Sequence, residues 1–384
     1  MTARLLAAAL AAALVAPAAR AAAPARCAGA APWPHLERYA AAFVSGDGRV
    51  IDRTDGDRTT SEGQAYALFF SLVAGDRALF DRLLRWTENN LAQGDLASHL
   101  PAWKWGRDRA GRWGVLDANS ASDADLWLAY ALLEAGRLWA EPRYGELGRR
   151  VVANVAAREV SNLPGLGPML LPAPRGFELD GGRGWRLNPS YLAPQVLRRL
   201  AGAGAPGPWS AVLADSLKVY RETARRGFVA DWVLYGRRGF AADPTTGPVG
   251  SYDAIRSYLW IGMLSPDDPA RAELAAAASG PLRVLAERGE LPERIDLRSL
   301  APRGRAPVGF YAALLPLAAG GGAAPAIEAR LDGAVKDGLY GDPPTYYDQN
   351  LALFGRGFAE GRWRFGADGE LAPAWEGACS AQRP

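Results

Sequence analysis

Histidine is almost missing from this sequence: His35 and His99 are the only two in 384 residues, and neither has a partner at metal-ligating spacing. Both read as structural or solvated residues. Ser-His-Asp and Cys-His nucleophile arrangements have little material to work with. Lysine is confined to Lys104, Lys218 and Lys336, while arginine is abundant. Beside so much alanine and glycine, that imbalance reads as a coding bias. No block of Lys and Arg stands out and the formal net charge is +3, so there is no nucleic-acid footprint. There is no Walker sequence and no glycine fingerprint behind a strand. The acidic run "DRTDGDRTTSE", counted from Asp52, lacks the carboxylates that a calcium loop needs at its third and fifth positions. No metal and no cofactor is implied.

Long apolar runs are also absent, apart from one short stretch at the start. Arg4 precedes an apolar segment over 5–16, and Ala19-Arg20-Ala21 offers a small-x-small cleavage site. We read 1–21 as a signal peptide and 22–384 as one mature domain; an uncleaved anchor is the other reading. The segment is short for a membrane span. The expected product is periplasmic or secreted, with no stable membrane insertion. Cysteine occurs twice, at Cys27 and Cys379, near the two mature ends. In an oxidising compartment such a pair suggests a disulfide tying the ends together, against two unrelated buried thiols.

What is present is helical periodicity. Helices are expected near 34–45, 61–74, 76–93, 120–137, 141–158, 188–202, 208–225, 251–263, 268–288, 307–319, 325–336 and 346–359. "ADLWLAYALLEAGRLW" is apolar on nearly all sides and suits an inner helix. The next segment, "EPRYGELGRRVVANVAARE", is more charged and suits an outer one. Between helices, 101–117, 228–244 and 362–375 resemble hairpins. About twelve helices in inner and outer pairs, with elaborate loops, predict an all-α toroid whose inner-helix ends frame a groove. No repeat is visible in the sequence itself.

Tryptophan is plentiful at 13 residues, several of them in irregular segments: Trp103, Trp105, Trp113, Trp185 and Trp232. Any one of these is more often core than ligand platform. As a group beside acids and amides they favour a carbohydrate groove. The stretch "TTSEGQAYALFF" carries two capping-box patterns, Ser61 with Gln64 and Thr59 with Glu62. Asp117, Asp123 and Asp125 crowd the next apolar helix, and Asp253 precedes Arg256 by three residues. N-capping explains one or two of these acids, not all. Paired carboxylates can hydrolyse a glycosidic bond without a cofactor. A first-turn acid should be held ionised by the helix dipole. A general acid needs the opposite, so catalysis predicts a raised pKa at Glu62.

On these motifs the chain resembles glycoside hydrolase family 8. "ASDADLWLAYALLEAGRLW" follows that family's signature, with Leu128 where Ile or Met is usual. "TTSEGQAYALFF" and "SYDAIRSYLWIG" resemble the segments around its catalytic acid and base. "WTENNLAQG", "LPAWKWG", "PGLGPMLLP" and "NPSYLAP" are similar to the periplasmic endoglucanases associated with bacterial cellulose synthesis. The resemblance runs from about Cys27 to Cys379. It implies an (α/α)6 barrel and inverting hydrolysis of β-1,4-glucan, with Glu62 as acid and Asp253 as base. Asp123 would bind the distorted sugar and tune Glu62. Tyr191, Tyr252, Arg256, Tyr347 and Trp105 would bind substrate. β-1,4-Glucan chains are the implied partner, with the cellulose synthase export machinery as a second. Inversion implies carboxyls roughly 6.5–9.5 Å apart. The other readings are a non-catalytic glucan-binding component, or a same-fold hydrolase of xylan, chitosan or mixed-linkage glucan.

Overall fold

A computed structural model describes residues 31–224 and 226–376. The signal segment, Cys27 and Cys379 lie outside the described residues, and so does the bridge expected between the two cysteines.

Thirteen α-helices occur among the described residues: α1 Pro34–Phe43, α2 Ser61–Val73, α3 Arg77–Leu91, α4 Ser122–Leu138, α5 Pro142–Arg158, α6 Pro194–Gly202, α7 Trp209–Thr223, α8 Ala254–Met263, α9 Arg271–Ala277, α10 Gly280–Arg288, α11 Val308–Ala318, α12 Ala324–Asp332 and α13 Tyr346–Ala359. They form an (α/α)6 toroid. Helices α2, α4, α6, α8, α11 and α13 pack side by side in an inner ring, and α13 returns to α2. Outside them, α3, α5, α7, α9 and α12 each cover the inner helix that precedes them. The sixth pair joins the first helix to the last, because α1 packs on α13.

Apolar spacing sorts the helices into layers. Every residue of α2 except Glu62 is buried, and so is every residue of α8. A helix hydrophobic all round has no solvent face and must sit inside. Helix α3 instead buries one stripe, including Leu79, Phe80, Leu83, Trp86 and Leu91. The ring is filled by aromatics rather than left as a pore. Phe354 of α13 lies with its ring centroid 5.0 Å from Tyr66, 4.6 Å from Phe70, 5.2 Å from Trp127 and 5.2 Å from Trp260. These are mostly edge-to-face contacts, the arrangement the ring quadrupoles favour.

Two expected helices are interrupted, both at proline. The segment 268–288 splits into α9 and α10, where Pro281 sits in the first turn of α10. Pro281 has no N–H, and the N–H of Gly280 is taken by the carbonyl of Gly227 at 2.7 Å. Likewise 188–202 becomes a 3₁₀ turn, Pro189–Tyr191, followed by α6, with Ala193 extended before Pro194. The three expected hairpins form: Lys104–Arg107 with Trp113–Asp117, Val233–Gly236 with Gly239–Ala242, and Trp363–Phe365 with Leu371–Pro373. Further short pairs, such as Val160–Leu163 with Gly167–Leu170, were not expected. They carry no alternating pattern that would mark them.

Candidate active site

The inner helices run parallel, so their N-termini share one face of the toroid. Glu62 lies in the first turn of α2, Asp123 in that of α4, and Asp253 directly before α8. Together with Tyr191, Tyr252, Arg256, Tyr346 and Tyr347 they line a cavity of about 480 Å³. Thus all three acids expected from the sequence meet, with four of the five expected binding residues.

Trp105 is the exception. Trp103 lines the cavity, whereas Trp105 does not. The ladder shifts register between Lys104 and Trp105, which breaks the two-residue alternation that would keep both on one face. Trp105 stacks on Trp113 at 5.1 Å, and the Arg49 guanidinium lies 4.4 Å from its ring centroid.

Arg256 organises the acids. Its Nη1 donates to Glu62 Oε2 at 2.6 Å, and its Nη2 to Asp253 Oδ1 at 3.1 Å and Ser190 Oγ at 2.9 Å. Asp123 Oδ2 lies 3.6 Å from the same Nη2. One planar guanidinium therefore separates Glu62 from Asp253 while bonding both. The Asp253 side chain is 31% exposed against 5% for Asp123. Water reaches Asp253 far more readily than Asp123.

Three carboxylates around one buried cation cannot all stay ionised cheaply. Burial pushes Glu62 above the usual carboxylate range; the Arg256 cation opposes this, and the negative charges of Asp253 and Asp52 reinforce it. Burial likewise pushes Asp123 up to about 7, against Arg256 and with the Glu62 charge adding. The upward shift of Glu62 is the direction that catalysis predicts. Its main cause is desolvation; the charges that add to it are those of Asp253 and Asp52.

The capping expectations are corrected here. The cap of α2 is Thr60, whose hydroxyl accepts from Gly63 N at 3.2 Å. Neither capping box forms. Gln64 is drawn into the core, where its amide bonds Val50 N and Thr87 Oγ1, and Thr59 donates to the Val50 carbonyl. Gly63 leaves room for Tyr346, since a Cβ there would stand 2.2 Å from the Tyr346 hydroxyl. Asp253 makes no cap bond to α8. That task falls to Asp231, which accepts from Ser251 N at 2.6 Å and Ala254 N at 2.8 Å. Asp253 is thereby left for the cavity. Asp125 and Glu159 are both fully buried behind Asp123. Asp117 is on the exposed hairpin and accepts from Asn119 N.

Sequence reasoning missed Asp231, Ser190, Asp52 and the bond from Trp232 Nε1 to Asp253 Oδ2 at 2.9 Å. Ser190 stands beside Tyr191 in "NPSY" and was within reach of that motif. Asp231 and Trp232 sit in a segment legible only as a hairpin. His35 bonds Gln349 at 3.2 Å, away from the acids.

Known proteins resemble this chain over nearly its whole length. An endoglucanase of Xanthomonas axonopodis pv. citri is 50% identical over 370 residues, covering 95% of this chain and 94% of the relative. An endoglucanase of Escherichia coli K12 is 42% identical over 350 residues, with 91% and 93% covered. The crystal structure of an endo-1,4-D-glucanase from Vibrio fischeri ES114 superposes with a TM-score of 0.83 at 40% identity, covering 90% of this chain and 99% of that one. The sequence profile of glycosyl hydrolases family 8 matches residues 9–361, and the chain belongs to that family.

Proposed function

We propose that this protein is an endo-1,4-β-glucanase that cleaves β-1,4-glucan with inversion at the anomeric carbon. The observation that carries the reading is the pair Glu62 and Asp253, bonded from the two ends of one guanidinium at the wall of a single cavity. Glu62, held toward its protonated form by burial, gives its proton to the glycosidic oxygen as the bond to C1 breaks. Asp253, the more open acid, takes a proton from the water that attacks C1 from the other face. A guanidinium between the two carboxyls argues against direct contact and for the wider spacing of inverting enzymes, roughly 6.5–9.5 Å. Asp123 binds the sugar next to the scissile bond, and Tyr191, Tyr252 and Tyr347 form the walls around it. Trp105, away from the cavity, is assigned no contact at the bond being cut.

Nuclear magnetic resonance of the first-formed anomer from a soluble cello-oligosaccharide tests the stereochemistry. The α-anomer is expected, and retention would overturn the reading. Glu62→Gln is expected to lower kcat at least a hundredfold while substrate binding is kept.

The signal-like start, and the similarity of its motifs to periplasmic endoglucanases of bacterial cellulose synthesis, support a place outside the cytoplasm, after cleavage near Ala21, in the handling of newly made cellulose beside its export machinery. No helix among the described residues is long and apolar enough to cross a membrane. N-terminal sequencing of protein from the periplasmic fraction checks the cleavage. Rates on carboxymethylcellulose, xylan and chitosan check the substrate.

A further inference from the structure

We propose that Trp232 is a positioning residue for Asp253, fixing the carboxylate through its indole N–H, and that the ion pair of Arg186 and Asp243 holds Trp232 in turn. The proposal rests on the reading of Asp253 as the base.

Among the described residues, two side chains donate to Asp253, one to each oxygen. Arg256 Nη2 serves Oδ1 at 3.1 Å and Trp232 Nε1 serves Oδ2 at 2.9 Å. A carboxylate gripped at both oxygens cannot rotate about its Cβ–Cγ bond without losing a charge-assisted hydrogen bond. The adjacent residue, Asp231, grips the backbone of the same segment at Ser251 and Ala254. Two consecutive residues of one loop thus hold the main chain and the side chain of the base.

Trp232 is itself held from behind. Its ring stacks on Phe177 with centroids 5.7 Å apart and planes 6° apart, and the Arg186 guanidinium lies 4.8 Å from its centroid. Arg186 is bidentate to Asp243, at 2.6 and 3.1 Å. Asp243 is buried and also accepts from Thr245 N and Thr246 N. Arg186 lies within, and Trp232 directly before, the ladder in which Gly184–Leu187 pairs with Val233–Gly236. The base is therefore tied to a sheet, which holds geometry better than a free loop. Trp232 stands just behind the cavity lining, its ring centroid 6.1 Å from that of Tyr191. Misplacing a reacting group by about 1 Å can cost a hundredfold in rate.

The test is steady-state hydrolysis of cellohexaose by the mature protein. It compares wild type, Trp232→Phe, Arg186→Gln, Asp253→Asn and the double variant Trp232→Phe/Asp253→Asn. Phenylalanine keeps an aromatic ring beside Phe177 and loses the N–H donor together with the second ring of the indole. It is expected to lower kcat about tenfold, with KM within about twofold and an unchanged melting midpoint. Arg186→Gln, further from the acids, should lower kcat in the same sense by less. In the Asp253→Asn background the Trp232 substitution should cost almost nothing more, because its effect passes through the carboxylate. Wild-type kcat in Trp232→Phe, a loss confined to KM, or full additivity in the double variant would each overturn the proposal. If Asp253→Asn itself keeps most of its kcat, the base reading fails instead.

Discussion

At Arg256, one cation serves three acids, and this sets an unusual sign for its removal. The guanidinium favours the ionised form of Glu62, opposing burial. Removing it lifts Glu62 further above the carboxylate range. An acid catalyst that stays protonated to higher pH keeps its rate to higher pH. Arg256→Gln is therefore expected to shift the alkaline limb of kcat/KM upward even as the maximum falls, because Glu62 and Asp253 lose their shared bridge. A pH profile on a soluble oligosaccharide checks this, and a downward shift would contradict it. The residues of this cluster were legible from motifs. Their bonding was not, because the Glu62–Arg256 contact spans 194 residues of chain.

Among the helices, capping turned out to be a tertiary matter. Sequence spacing placed the start of α2 within a residue but paired the wrong residues in capping boxes, since Gln64 found better partners in the core. Asp231 caps α8 from a different loop, and no local pattern could announce it. Replacing it by Ala should cost about 1 kcal/mol for the lost cap and lower the thermal midpoint by a few degrees. The start of α4 holds a second buried acid pair. Burial pushes Glu159, at the end of α5, up to about 8 and Asp125 well above the carboxylate range, where the Glu159 charge adds to the shift. Ser120 donates to Glu159 at 2.5 Å. Both folded pKa values lie above the unfolded carboxylate range of about 4. The unfolded state thus sheds these protons first. The stability the neutral pair supports is complete below that range and is lost as pH rises toward about 8. The amide variant Asp125→Asn/Glu159→Gln stays neutral throughout. Its melting midpoint relative to wild type should climb from pH 5 to 8; a constant difference would contradict the proton-bearing pair.

Over the whole molecule, the ring closes through its ends. Trp33, the residue before α1, packs on Phe70 and Trp363 at 6.0 and 6.2 Å, so the start of the described chain seals the last helix pair. Phe354 touches rings from α2, α4 and α8 and reports on closure directly. Phe354→Ala should cost about 3–5 kcal/mol in denaturant unfolding, since a void at this junction cannot be refilled from one side. A cost under 1 kcal/mol would mean that the ring centre can collapse. The sequence by itself determined where most helices lie, that 124–139 is an inner one, and which acids stand at helix starts. All of these follow from spacing within one turn or one helix. Only the tertiary structure decided that α1 pairs with α13, that Asp231 rather than Asp253 caps α8, and that Arg256 joins acids from three helices. Those outcomes depend on contacts between segments far apart in the chain, for which local periodicity carries no signal.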